Sequence, residues 1–275
     1  MATTRQQLVS SLQSEMTSAT KTMTPVRLIP RLDIKGPNLI KGIQLEGLRV
    51  IGDPSQYAQQ YYQDGADELI YYDSVASLYE RNSLFGIVEK TAAHIFVPLT
   101  VGGGIRSVDD VQKMLSIGAD KISINTAAIK NKKLITDIAE RFGSQCCVVE
   151  IQAKRASAGQ WEAYIDNGRE HSGFDAIRWA EEATALGAGE VLVTSIDQEG
   201  TGKNYDRDLL EAIAKRIDVP IIASGGAGSK QDIVKAAMIN GIDACSFARI
   251  VHYGKTSVPE IREACVAAGI NVRHI

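Results

Sequence analysis

The chain has 275 residues, of which 44% are hydrophobic and 23% are charged, and this composition is ordinary for a globular protein. Its formal net charge of −3 gives no electrostatic reason to expect binding to nucleic acid or to an anionic membrane. No apolar run reaches the roughly 18 residues that a membrane helix needs, so we expect no membrane span.

Residues 1–24 differ in composition from the rest of the chain. They are rich in Ser, Thr and Gln, contain one acid, Glu15, and lack the apolar core of a secretory signal. We predict a flexible N-terminal extension over residues 1–24, followed by a single domain over residues 25–275.

Eight predicted strands alternate with helices through the rest of the chain. The strands are predicted over residues 26–33, 68–73, 96–101, 121–125, 146–152, 190–194, 220–224 and 244–248. The helices are predicted over residues 54–64, 83–93, 108–117, 132–142, 175–186, 206–216, 231–239 and 258–268. Between these elements we predict a long loop over residues 35–53 and an inserted hairpin over residues 153–173.

Two stretches of the chain look like copies of one another. Residues 97–129 and residues 219–251 each contain an apolar run, a glycine turn, an amphipathic segment and a second apolar run, and they start 122 residues apart. A strand, helix and strand unit repeated at half the length of the chain indicates two half-barrels. We therefore predict an α/β fold, a (β/α)8 TIM barrel built from two half-barrel repeats, rather than an open doubly wound sheet.

Active sites in such barrels lie at the carboxyl ends of the strands, and glycine turns there expose backbone N–H groups that suit phosphate. We name the predicted first anion site by Gly103, Gly104, Asn125 and Thr126, and the predicted second anion site by Gly225, Gly226, Ala248 and Arg249. Two such sites around one mouth indicate a long substrate with an anionic group at each end. The alternative is that the glycines only permit tight turns.

One acidic residue, Asp33, ends the first strand and is a candidate general acid or base. The alternative is a helix cap or an ion pair with Lys35 or Lys41. The corresponding residue in the second half is Gln152, an amide that cannot transfer a proton in the useful pH range.

At the opposite end of the barrel, the four strand-initial residues Arg27, Glu68, Lys121 and Glu190 combine two cations with two acids. We expect them to form a salt-bridged ring, hereafter the lower cluster. The alternative to a functional role is a network that only stabilises the barrel.

The four cysteines, Cys146, Cys147, Cys245 and Cys265, lack metal-ligand spacing, and three of them lie in or beside apolar runs. We expect buried, reduced thiols and a cytoplasmic setting. We expect neither a metal ion nor an organic cofactor.

Several motifs in order, among them RLDIK, GADEL, PLTVGGGI, GADKISINTAA, IIASGGAG and GINVR, resemble the HisF family, the cyclase subunits of imidazole glycerol phosphate synthase in histidine biosynthesis. The resemblance implies that ammonia from a HisH-like glutaminase enters through the lower cluster as a gate, with Asp120 at the partner interface. It also implies that Lys41, Gly200 and the two anion sites bind a bis-phosphorylated substrate between two catalytic aspartates, of which Asp33 matches the first.

Three positions depart from the family's pattern: Gln152 stands at the second catalytic aspartate, and Arg31 and Arg249 replace small side chains. With GPNLIKGI in the first loop, these changes resemble HisF-like paralogues associated with surface-polysaccharide genes. That branch implies delivery of ammonia to a third enzyme, which converts an acetamido group on a nucleotide sugar to an acetamidino group.

Two alternatives remain open at this point. One is a genuine cyclase in which Asp33 works alone or with Glu150 or Asp197, although we expect Glu150 to point to the face opposite Gln152. The other is a non-catalytic scaffold that activates a glutaminase.

Overall fold

The computed structural model describes residues 24–76 and 84–275. The strands in these ranges are β1 Arg27–Lys35, β2 Asn38–Ile43, β3 Glu46–Gly52, β4 Leu69–Asp73, β5 Leu99–Gly102, β6 Lys121–Ile124, β7 Cys147–Ser157, β8 Gln160–Ile165, β9 Glu170–Asp175, β10 Glu190–Ser195, β11 Ile221–Ser224 and β12 Ala244–Phe247. The helices are α1 Pro54–Gln63, α2 Phe85–Ala92, α3 Val108–Ser116, α4 Thr126–Lys130, α5 Lys133–Phe142, α6 Ala176–Ala185, α7 Arg207–Ala214, α8 Lys230–Ala237, α9 Arg249–His252 and α10 Val258–Ala267. The predicted extension over residues 1–24 lies outside the described residues except for Thr24, which is exposed.

Eight strands form a closed parallel ring in the order β1, β4, β5, β6, β7, β10, β11 and β12. The ring closes where β12 pairs with β1, with Arg27 opposite Ala244. Helices connect successive strands, as parallel pairing requires. The fold is the predicted (β/α)8 barrel.

The strands read as apolar runs because both of their faces are buried. Side chains that point outward, such as Leu28 and Val149, pack against the surrounding helices. Side chains that point inward form a separate apolar layer across the barrel, made of Ile29, Ile70, Val148, Leu192, Ile222 and Ala244. This layer separates the two polar ends of the barrel interior.

Each half-barrel carries a hairpin after its first strand. The predicted hairpin after β7 is confirmed, since β8 pairs antiparallel with β7 and with β9. The predicted loop over residues 35–53 is wrong, because β2 and β3 form a second hairpin there. Its turn places Gln44 and Leu45 at φ 52° and 65°. Such turns normally contain Asn, Asp or Gly, so the sequence lacks the usual hairpin signal.

The tip of the β2–β3 hairpin contacts the other half of the barrel. Leu45 is buried with Tyr164 of β8 and Ile196 of the loop after β10. The backbone N–H of Gln44 donates to the carbonyl of Glu199 at 2.7 Å. These contacts hold the hairpin across the carboxyl end of the barrel, where the active site is expected.

Two short helices that were not predicted, α4 and α9, follow β6 and β12 at equivalent positions of the repeat. The residues that precede them have similar backbone angles, with φ −127° and ψ −84° at Asn125 and φ −136° and ψ −70° at Ala248. The two glycine turns are likewise followed by helices that begin with a Ser and Asp capping box. The two copies of the repeat therefore match down to local backbone geometry.

Among the described residues, none of the helices has the length and apolar character needed to cross a membrane.

Candidate active site at the barrel mouth

Asp33 lies inside the mouth, 5% exposed, between two cations. Arg31 Nε donates to Asp33 Oδ1 at 2.8 Å, and Lys41 Nζ lies 3.4 Å from Asp33 Oδ2. Burial alone would raise the pKa of Asp33, but Arg31 and Lys41 outweigh it and lower the pKa to about 2. The carboxylate is therefore ionised at neutral pH and suits a base or an electrostatic stabiliser better than a proton donor.

Arg31 crosses the barrel interior above the apolar layer and is 4% exposed. Its Nη1 donates to Glu150 Oε1 at 2.7 Å and to Thr194 Oγ1 at 3.3 Å, and its guanidinium carbon lies 4.5 Å from the centre of the Tyr72 ring. Burial would lower the pKa of Arg31, but Glu150 and Asp33 raise it well above its ordinary value. Arg31 therefore joins the two halves of the barrel as a fixed cation.

Gln152 is fully buried, and its amide nitrogen donates to Tyr72 Oη and to Glu150 Oε2, both at 3.3 Å. The expectation that Glu150 points away from Gln152 is wrong. Residues two apart in a strand share one face, so both side chains enter the barrel interior. The Glu150 carboxylate therefore lies next to the Gln152 side chain, two residues earlier in β7 and thus deeper in the barrel.

Lys41 of β2 is buried in the mouth and forms a salt bridge with Glu199. Burial would lower its pKa, but Glu199 and Asp33 raise it. We refer to five of the ionisable side chains at this end as the upper cluster: Arg31, Asp33, Lys41, Glu150 and Glu199. Asp197 does not belong to it, because its carboxylate instead accepts the backbone N–H of Arg155 at 2.8 Å.

His252 of α9 packs beside the upper cluster and is 6% exposed. A hydrogen bond of 2.6 Å joins its Nδ1 to Tyr61 Oη. Burial, and after it the Lys41 ammonium, lowers the pKa of His252 to about 3, although Asp33 acts in the opposite direction. The imidazole is therefore neutral at physiological pH.

The first anion site is an open cavity of about 260 Å³. Gly103 and Gly104 have φ 88° and 74°, and a Cβ atom on Gly103 would lie 2.3 Å from the carbonyl of Asp73. Asn125 Nδ2 donates to the Tyr164 carbonyl at 3.2 Å, so β8 holds one wall of the cavity. Other lining residues include Thr126 and the two cations Arg106 and Lys130. Two acids, Asp73 and Asp166, also line the cavity, and Lys130 Nζ lies 3.5 Å from Asp166 Oδ2. The glycine backbone and Arg106 are therefore the features of this cavity that suit a phosphate group.

The second anion site has the same backbone but almost no free space. Gly225 and Gly226 have φ 88° and 112°, and a Cβ atom on Gly226 would lie 1.9 Å from the carbonyl of Asn204. Arg249 Nη1 donates to the carbonyl of Gly200 at 2.6 Å, and the cavity behind it measures about 10 Å³. That is room for about one water molecule. The predicted residues thus come together here, but Arg249 closes the site.

The lower cluster also forms. Arg27 Nη1 lies 2.6 Å from Glu68, Lys121 Nζ lies 3.0 Å from Glu68 and 2.9 Å from Glu190, and Arg27 also pairs with Glu190. Burial would lower the pKa of Arg27, but Glu190 and Glu68 raise it. Asp120 lies at the same end, where its carboxylate accepts the Leu99 N–H at 2.8 Å. The roles of the lower cluster as a gate and of Asp120 as a partner contact stay predictions.

All four cysteines are buried, as expected. Burial raises the pKa of the Cys147 thiol to about 12 and that of the Cys265 thiol to about 11. Among the residues that the structure describes, no group of three His, Cys, Asp or Glu side chains is arranged to hold a metal ion.

Sequence reasoning did not assign Tyr72 or His252 to the site. It identified Arg31 only as a departure from the family's pattern, and it placed Glu199 at the mouth only as part of residues 195–200. A signal was available for Arg31, because it lies two residues before Asp33 and must share its face in a strand. No comparable signal marks His252, since its helix was not predicted.

The chain matches the family described as histidine biosynthesis protein over residues 27–257. It is 60% identical over 210 residues to an imidazole glycerol phosphate synthase subunit HisF of Legionella pneumophila, covering 76% of this chain and 99% of that protein. It is 44% identical over 251 residues to the subunit of the same name from Streptococcus sanguinis, covering 91% of this chain and all of that protein. It is 47% identical over 249 residues to the subunit of the same name from Myxococcus xanthus, covering 90% of this chain and 98% of that protein. With its barrel, mouth and repeat, the chain belongs to the HisF family of histidine biosynthesis proteins.

Proposed function

We propose that this chain is the synthase subunit of a glutamine amidotransferase complex, and that it performs the cyclase step of imidazole glycerol phosphate synthase. The observation that carries the proposal is the mouth itself, where the glycine turns of the two half-barrels flank the buried carboxylate of Asp33. The names of relatives that are 44–60% identical support the same reaction.

In this proposal, ammonia comes from a HisH-like glutaminase that docks at the end of the barrel where the lower cluster and Asp120 lie. The lower cluster acts as the gate. The path above it runs through the apolar layer, whose six members have no charged side chains. The uncharged ammonia molecule crosses such a layer more easily than ammonium does, because a buried charge without a partner is costly.

The substrate binds with one phosphate in the first anion site. Its second phosphate binds at the second anion site after Arg249 moves off the Gly200 carbonyl. Lys41 lines the second anion site, where it also pairs with Asp33 and Glu199.

Proton transfer in this proposal is divided between Asp33 and Glu150. Asp33 is ionised and acts as the base, since its pKa is lowered to about 2. Glu150 serves where Gln152 cannot, because it shares the inward face and contacts the Gln152 amide at 3.3 Å.

A second candidate function is delivery of ammonia to another acceptor, such as the acetamido group of a nucleotide sugar in surface-polysaccharide biosynthesis, with a third amidating enzyme. The observations that favour it are the amide at Gln152, the ion pair that engages Asp33 with Arg31, and the closure of the second anion site by Arg249. Each of these three features should lower the rate of the cyclase step or weaken binding of its substrate.

The deciding experiment is cyclase turnover by the purified chain, with the bis-phosphorylated ribulosyl aminoimidazole substrate and excess ammonium salt at alkaline pH. We expect release of the aminoimidazole carboxamide product without any partner. The variant Glu150→Gln should lower kcat by about 10²–10⁴-fold, the usual contribution of a general acid or base. Glu162→Gln, at a carboxylate on the rim of the β8–β9 hairpin, is the matched control and should retain activity.

Absence of turnover in a folded chain that still binds the substrate would contradict the cyclase proposal and favour the second candidate. In that case Gln152→Asp tests whether the missing carboxylate is the cause. A chain that only stimulates glutamine hydrolysis by its partner, with no acceptor reaction, would instead be a scaffold.

A further inference from the structure

A cleft outside the second anion site lies between the β2–β3 hairpin and α9. It measures about 720 Å³, within the range of about 300–1,000 Å³ that is usual for small-molecule sites. Gly200 and Arg249 line both this cleft and the second anion site. Arg249 therefore separates a nearly filled inner space from a roomy outer one.

The cleft carries an excess of positive charge. Arg49 of β3, Arg249 of α9 and Lys255 just after α9 line it, against the single acid Glu46. Arg49 and Lys255 are exposed, and within residues 24–76 and 84–275 neither forms an ion pair. These charges come from separate elements of the fold and converge on one space.

The β2–β3 ladder adds a second observation. Arg49 stands directly opposite Lys41 in the antiparallel register. Opposite residues share one face of a ladder, and two like charges there are destabilising. Lys41 is neutralised by Glu199 and Asp33, so the charge of Arg49 faces the cleft without a protein partner among the described residues.

Apolar and aromatic surface lines the same cleft. Tyr253 is 51% exposed and Ile43 is 57% exposed, and both are lining residues. A tyrosine ring beside guanidinium and ammonium groups is suited to a ligand with a flat or sugar-like part and a strongly anionic part.

We propose that this cleft binds a diphosphate-bearing small molecule. Arg49, Arg249 and Lys255 hold the two phosphates, and Tyr253 and Ile43 contact the group attached to them. Arg249 donates through Nη1 to Gly200, so its other guanidinium donors remain for the ligand. The site shares Lys41, Gly200 and Arg249 with the second anion site but opens on its outer side, and it does not depend on which reaction the mouth performs.

The test uses the full chain with 3-fluorotyrosine in place of tyrosine, and inorganic pyrophosphate as the probe. Fluorine NMR follows the Tyr253 resonance, which the variant Tyr253→Phe identifies. We expect saturable shifts of this resonance, with weaker binding of inorganic phosphate. The double variant Arg49→Ala/Lys255→Ala should raise the Kd for pyrophosphate by at least about tenfold.

Two controls give the result its meaning. Lys113→Ala, on the exposed face of α3, should leave the Kd unchanged, and Lys130→Ala in the first anion site should leave the Tyr253 response unchanged. A charge-retaining variant, Arg49→Lys/Lys255→Arg, should restore binding to within a few-fold if folding is intact. Lack of a Tyr253 response, or a response that the double alanine variant does not weaken, would overturn the proposal. The measurement needs neither turnover nor a glutaminase, so its outcome is independent of the cyclase test.

Discussion

The two ends of the barrel interior hold two different ionic clusters. In the lower cluster, two cations and two carboxylates alternate, and each cation contacts both acids. In the upper cluster, two cations are shared among three carboxylates. The lower cluster is balanced in charge, whereas the upper one has one carboxylate more than it has cations.

The cations of the two clusters also differ in how deeply they are buried. The Arg27 and Lys121 side chains are 26% and 20% exposed, while those of Arg31 and Lys41 are 5% and 4% exposed. Among the described residues, Arg31 Nη2 and Gln152 Oε1 are buried without a hydrogen-bond partner. Such orphan atoms are costly in a purely structural network. The comparison teaches that the lower cluster is a charge-balanced, partly exposed ring, whereas the upper cluster is more deeply buried and includes polar atoms that lack a partner among the described residues.

The largest expected effect follows from removing the central cation of the upper cluster. Arg31→Met leaves Asp33 and Glu150 buried with one cation fewer, so the free energy of unfolding should fall by about 3–5 kcal/mol. Urea denaturation at neutral pH measures this directly. A loss below about 1 kcal/mol would mean that the cluster is solvated and would remove the contrast between the two ends.

A second effect concerns pH and is expected at the mouth. His252 has a pKa of about 3 in the folded chain against about 6.5 when unfolded, so the unfolded state binds more protons between these values. Stability should therefore fall as pH falls through this window, with a loss of about 2 kcal/mol from this group between pH 7 and pH 5. His252→Gln should remove this part of the slope, as measured by urea midpoints at the two pH values. His94→Gln, at an exposed histidine, is the control and should leave the slope as it is.

The smallest effect is expected at the lower cluster. In Lys121→Met, Arg27 still contacts both Glu68 and Glu190, so the free energy of unfolding should fall by less than in Arg31→Met, by about 1–3 kcal/mol. Thermal or urea unfolding at low and high salt measures the loss. A loss as large as that of Arg31→Met would show that the two clusters have equal structural weight, contrary to the comparison.

Most of the barrel could be predicted, because doubly buried strands leave continuous apolar runs and the helices carry clear capping residues. The β2–β3 hairpin could not be predicted, since Gln44 and Leu45 have left-handed backbone conformations that these residue types rarely adopt. Their strain is tolerated because Leu45 is buried and the Gln44 N–H is bonded.

The site was predictable only where its members follow strands directly. The glycine turns, Asp33 and Gln152 could be located from strand ends. The contact between Arg31 and Glu150 could not be predicted, because the two residues are 119 positions apart and meet only through the register of the barrel strands. Glu150 points in the same direction as Gln152 because residues i and i+2 of a strand share one face.

The contact between Leu45 and Tyr164 has a consequence for whether either half-barrel could be stable alone. Leu45 belongs to the first half-barrel, yet Tyr164 and Ile196, which bury it, belong to the second. A half-barrel that separated from its twin would return this leucine to water, at a cost of about 2 kcal/mol. The two half-barrels therefore depend on each other for this contact, and a fragment that contained only one half would lack it.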